Sequence, residues 1–128
     1  MSNSTIDTRT AVFLLDDNGV LRITSKGMSQ ETLADAQENL DAVHRLVKDR
    51  RLPILADIRG ARFTDAKWRG FYSREENKKL ATAVAMLVAS PISRVIGSLF
   101  VGFNKLPVPI KIFTSESEAL DWLKNFLE

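Results

Sequence analysis

The side chains with which this chain could do chemistry are densest in one stretch, ILADIRGARFTDAKW, residues 54–68. It holds two acids (Asp57 and Asp65), two arginines (Arg59 and Arg62), a hydroxyl at Thr64 and a large aromatic at Trp68. Asp57 and Asp65 could share acid–base work only if the fold brought them together and raised one pKa. Arginines beside helix-starting hydroxyls could hold an anion. Further hydroxyls for that purpose stand at Ser90 and at Thr114-Ser115, each just after an apolar run. No glycine-rich phosphate loop of the GxxxxGK[ST] kind accompanies them. Each hydroxyl also has a plain structural use as a helix cap, and Asp57 and Arg59 can pair with each other.

Other chemistries lack their residues. There is no cysteine, which removes disulfides, thiol nucleophiles and thiolate metal ligands. A single histidine, His44, rules out a histidine-based metal cluster. Neither GxSxG nor HExxH occurs. No metal or cofactor is expected, and a catalytic role is not.

The elements that must position these residues follow from periodicity. TAVFLL and VLRIT flank DDNG, whose Asn18-Gly19 pair signals a hairpin because both residues tolerate positive φ. Ser29 is expected to cap a long helix, with Met28 and Leu33 as a hydrophobic staple around it. Leu33, Ala36, Leu40, Val43 and Val47 recur at helical spacing on one face, with His44 at its flank. Cations from Lys48 to Arg51 and then Pro53 end that helix. ILADI is a buried strand, and Thr64 with the Phe63/Trp68 staple opens the next helix. AVAMLVA is another strand, followed by Ser90-Pro91 as N-cap and first helical residue. Ile92, Val95, Ile96, Leu99, Phe100 and Phe103 then form an apolar stripe. VPIKIF is a last strand, tolerating Pro109 if it lies at an edge. A Ser115/Glu118 capping box opens the final helix.

The order β-β-α-β-α-β-α-β-α predicts an α/β fold with a mixed, mostly parallel five-stranded sheet. Residues 1–9 are read as a flexible tail and 10–128 as a single domain, a size able to bury its own core. The longest apolar run, Ala83–Ala89, is too short for a transmembrane segment, and MSNSTIDTRT has no apolar signal-peptide region, so a cytoplasmic location is expected. Net charge is only +2, yet residues 45–79 carry eleven Lys or Arg against five Asp or Glu. No repeated basic motif goes with this excess, so it reads as solvated surface, and nucleic acid is not an expected partner.

Three stretches carry a family resemblance: LADIRG, VAMLVASPISRVIGSLFVGFNK and PIKIFTSESEALDWLKNF. From about Val12 onward the chain resembles the SpoIIAA-like proteins, the fold group of STAS domains and anti-sigma-factor antagonists. The resemblance implies a regulatory, protein–protein interaction module. In that group a serine following an aspartate, at the start of the helix after the corresponding strand, is phosphorylated. Here the matching residues are Thr64-Asp65-Ala66-Lys67, so Ala66 stands at the acceptor position without a hydroxyl, and Trp68 replaces a glycine. The resemblance therefore implies an interaction loop at Asp57, Arg59, Arg62, Thr64, Asp65 and Trp68, without the standard phosphoserine switch. A partner protein is expected there. The alternative is a carrier or sensor of a small apolar or lipid-like ligand, as in Sec14-like domains. The stripe Ile92–Phe103 would be its ligand face, or the contact of a homodimer.

Overall fold

The β-hairpin over residues 11–25 is closed by a five-residue connection in which one carboxylate does most of the bonding. Asp16 Oδ1 accepts the backbone N–H of Asn18 at 2.9 Å and of Val20 at 3.0 Å. Gly19 N–H donates to the Asp16 carbonyl, and Asp16 N–H donates to the carbonyl of Val20. Of the Asn-Gly pair only Gly19 takes positive φ, at 89°. Glycine meets that demand without a Cβ penalty.

The structure is a computed structural model that describes residues 4–26, 32–48, 50–60, 81–89 and 109–127. Its elements are β1 (Ser4–Asp7), β2 (Ala11–Leu15), β3 (Leu21–Ser25), α1 (Leu33–Val47), β4 (Leu52–Asp57), β5 (Ala81–Leu87), β6 (Ile110–Phe113) and α2 (Glu116–Leu123). A 3₁₀ turn, Lys124–Phe126, follows α2. The six strands form one sheet in chain order. β1/β2 and β2/β3 are antiparallel, while β3/β4, β4/β5 and β5/β6 are parallel. The mixed, mostly parallel α/β sheet is as expected, with β6 and its preceding Pro109 at an edge. Two expectations need correction. Among the described residues the sheet has six strands rather than five, and residues 4–7 of the expected tail form β1, paired from Ser4↔Leu15 to Asp7↔Val12. The alternation Ser4-Thr5-Ile6-Asp7 is too polar to signal a strand by itself. Pairing with β2 and half-burial of Ile6 make it one.

Successive residues of a strand face opposite sides of the sheet, and this chain uses both. Ile54 packs with Phe13, Leu21, Ala42, Val43, Leu46 and Val47, which places α1 on that side. Its neighbour Leu55 packs with Ala83, Ala85, Leu87, Ala119 and Leu123, which places α2 on the other. The small alanines of β5 let α2 lie close to the sheet, and Ala83, Ala85 and Ala119 have no exposure. A register irregularity sets three steps of β5, Ala81 to Val84, beside two steps of β4, Leu52 to Ile54. The extra residue turns Ala81 toward the α1 side, where it joins that core.

α1 begins later than its sequence suggests. The N-cap is Thr32 rather than Ser29: Thr32 Oγ1 accepts the Asp35 N–H, and the Asp35 carboxylate accepts the Thr32 N–H at 2.9 Å. This reciprocal box satisfies two donors that helix geometry leaves unpaired. Leu33 is 50% exposed, so it is no part of the buried stripe or of a staple. The buried face adds Ala42 and Leu46, and also two polar residues, Asp35 and Asn39. His44 is exposed on the flank. At the other end Lys48 adopts φ 58° and donates its N–H to the His44 carbonyl at 2.8 Å, closing the last turn. At α2 the Ser115 half of the expected capping box is present, its hydroxyl accepting the Glu118 N–H at 3.3 Å.

Candidate functional site

In a sheet of this kind the loops after the carboxyl ends of parallel strands are where ligands and partners meet the fold. β4 ends at Asp57, whose side chain lies on the α2 side, two residues beyond Leu55. Asp57 does not project freely. Arg59 folds back over it, with Nε 2.9 Å from Oδ1 and Nη2 2.7 Å from Oδ2, and Arg59 N–H also donates to Oδ1 at 3.2 Å. Carboxylate and guanidinium meet fork to fork, the strongest common geometry for this pair. The side chain of Asp57 is 16% exposed and that of Arg59 48% exposed, so the acid is set in the wall and the cation faces outward.

The pair belongs to a longer row. Arg59 Nη2 lies 3.7 Å from Glu116 Oε1, at the first residue of α2. The other oxygen of Glu116 is 3.3 Å from Arg22 Nη1 of β3, and Arg22 Nε donates to Asp16 Oδ2 at 3.1 Å. Signs alternate along Asp16, Arg22, Glu116, Arg59 and Asp57, tying the hairpin turn, β3, α2 and the end of β4 together. Glu116 stands where the positive end of the helix dipole favours an acid.

This arrangement bears directly on chemistry. Hydrogen bonds from the Arg59 side chain, outweighing the opposing effect of burial, hold the Asp57 carboxyl below its ordinary range. The same pairing raises Arg59 above its ordinary value. A carboxylate held ionised by a bidentate arginine is a weak proton acceptor near neutral pH, so Asp57 is not poised as a general base. Among the described residues no group of three or more histidine, aspartate or glutamate side chains converges as a metal-ligand set. No described helix is long and apolar enough to cross a membrane.

Of the expected loop residues, Asp57 and Arg59 are thus brought together. Arg62, Thr64, Asp65 and Trp68 lie outside the described residues, as does Ala66. So does the whole stripe of Ile92, Val95, Ile96, Leu99, Phe100 and Phe103, together with Ser90. Ser115 serves as a helix cap, and its Oγ is 3.1 Å from that of Ser117. The residues that local reading missed are Asp16, Arg22 and Glu116. Arg22 and Glu116 are 94 positions apart, and no short-range spacing signals such a contact.

Residues 13–127 match the family described as a domain of unknown function, DUF7793. A crystal structure of a protein of unknown function from Arthrobacter sp. FB24 shares 36% sequence identity, over 92% of this chain and 95% of that one, with a TM-score of 0.36. A crystal structure of an uncharacterised DUF3478-family protein with a SpoIIAA-like fold, from Shewanella loihica PV-4, superposes with a TM-score of 0.57. It is 16% identical, over 95% of this chain and 92% of that one, and the likeness is one of fold. No curated protein matches the chain.

Proposed function

Because the chain belongs to the DUF7793 family and has a SpoIIAA-like fold, we propose that it is a non-catalytic, STAS-like regulatory module that binds a partner protein. The contact surface is the loop leaving β4, with Arg59 at its base and Arg62 and Trp68 further along. The observation that supports this reading is the state of Asp57 and Arg59. The acid that could have done proton chemistry is consumed in holding an exposed arginine in one orientation. An arginine so held loses less side-chain freedom when a partner docks, and arginine and tryptophan are among the residue types enriched at interface hot spots. Ala66 stands where the STAS antagonists that the chain resembles carry a phosphoacceptor serine, so control of binding comes from elsewhere than that position.

Affinity capture with the tagged chain from its source cells tests the reading. The wild type should retain a defined protein that the Arg62→Ala/Trp68→Ala variant loses while remaining folded by circular dichroism. Retention of the same protein by both would refute the assigned surface. Native mass spectrometry of the same preparation reads the alternative, since a stoichiometric apolar ligand would favour a carrier.

A further inference from the structure

The described arginines fall into two groups. Arg9, Arg22 and Arg59 each hold carboxylates: Asp35 for the first, Asp16 and Glu116 for the second, Asp57 for the third. Arg45, Arg50 and Arg51 pair with no carboxylate among the described residues, and neither does Lys48. These four cations are all exposed, and between positions 45 and 51 they share the chain with one acid, Asp49. They stand where α1 ends and β4 begins. Since β4 runs from Leu52 to Asp57, this patch and the loop that leaves β4 lie at opposite ends of the strand.

The helix dipole accounts for cations on the last turn of α1, here Arg45 and Lys48. It does not account for the two arginines beyond it, which are fastened to main-chain carbonyls. Arg50 N–H and Nε both donate to the Val47 carbonyl, at 3.1 and 3.4 Å. Arg51 Nη2 donates to the carbonyl of Ala81, at the start of β5, at 2.8 Å. Each side-chain bond orients a guanidinium while using only one of its nitrogens. Both η nitrogens of Arg50, and Nε and Nη1 of Arg51, bond to no described residue. Two planar forks are therefore held in place with donors to spare, and cations fixed in advance lose less freedom on binding.

We propose that Arg45, Lys48, Arg50 and Arg51 form a docking site for a short acidic segment of a protein, separate from the loop that leaves β4. The chemistry of the patch selects this occupant. Its apolar residues, Leu46 and Val47, are buried, so nothing there can insert into a bilayer, and it holds no aromatic on which a base could stack. Outside residues 45–79 the chain carries seven Lys or Arg against eleven Asp or Glu, so an extended polyanion would meet repulsion beyond the patch. A short run of carboxylates would not. Arginine forks accept carboxylates two bonds at a time, as Arg59 does with Asp57 in this same chain.

Fluorescence anisotropy of a labelled hexaglutamate peptide, titrated with the full-length chain, tests this. The wild type should bind the peptide, with affinity falling as salt is raised. Arg50→Ala/Arg51→Ala should weaken binding about tenfold or more. Lys111→Ala/Lys124→Ala, which removes the same charge elsewhere on the chain, should leave it unchanged. Equal losses in the two double variants, or no binding by the wild type, would overturn the site. Should Arg50→Ala/Arg51→Ala not fold, Arg45→Glu, at an exposed helical position, decides by the same measure. Tighter binding of single-stranded DNA or of phosphatidylserine vesicles, lost in the same variants, would overturn the acidic segment as occupant. Capture through Arg62 and Trp68 is read by a separate variant, so either surface can fail without the other.

Discussion

Arg59 and Asp57, two residues apart, form a closed two-pronged ion pair at the point where β4 leaves the sheet. The pair fixes the base of the loop that follows, and Glu116 of α2 supports it from the other side. Arg59→Ala should cost little stability, because the cation is half-exposed and screened by solvent. It should nonetheless weaken partner capture. Denaturant melts beside the capture assay separate the two effects, and a large loss of stability would mean that the pair is chiefly structural.

Asp35 should behave differently. It completes the capping box of α1, is paired with Arg9 and is buried. Asp35→Ala should cost about 2 kcal/mol, since a cap and a charge-assisted hydrogen bond are both lost. A measured loss below that of Arg59→Ala would contradict the assignment.

The same residue makes stability depend on acid. Hydrogen bonds from Arg9, chiefly, hold the Asp35 carboxyl well below the usual carboxylate range, despite the opposing effect of burial. A depressed folded-state pKa contributes stability that is complete above the unfolded value, about 4, and lost as pH falls toward the folded one. Asp57 adds a contribution of the same sign. Chemical denaturation between pH 7 and 2 should therefore show a steep acid limb that becomes shallower in Asp35→Asn.

The start of α1 gives a paired test. Thr32→Ala removes the cap and should cost about 1 kcal/mol. Leu33→Ala, at an exposed position, should change stability by less than about 0.5 kcal/mol. The order would reverse if Leu33 were the buried staple that its spacing suggests.

Core and turn positions set the scale. Leu87 is fully buried between sheet and α2, and Leu87→Ala should cost about 2–5 kcal/mol. Gly19→Ala meets no close atom, Leu127 Cδ2 being 3.5 Å from the added Cβ, but is strained by φ 89° and should cost about 1 kcal/mol. Thermal melts of the two variants check both figures.

Much of the fold was legible locally. The hairpin at Asn18-Gly19, the apolar strands of β4 and β5, and the cap at Ser115 each rest on a few neighbouring residues. β1 was not legible, because its polar alternation becomes a strand only when β2 lies beside it. The Thr32 cap was legible as Thr-x-x-Asp ahead of an apolar run, but the Met28/Leu33 spacing pointed to Ser29 instead. The Arg9–Asp35 ion pair, 26 residues apart, leaves no trace in local spacing. At the candidate site, Asp57 and Arg59 could be paired on adjacency alone, whereas Glu116 and Arg22 join them through the folded sheet.

The central claim is that the loop leaving β4 is a protein-binding surface. Its most direct test is a photo-crosslinking amino acid placed at position 62 or 68 in cells, with position 37 on the exposed side of α1 as control. The account predicts one protein joined from positions 62 and 68 and absent from position 37. The same background from all three positions would contradict it.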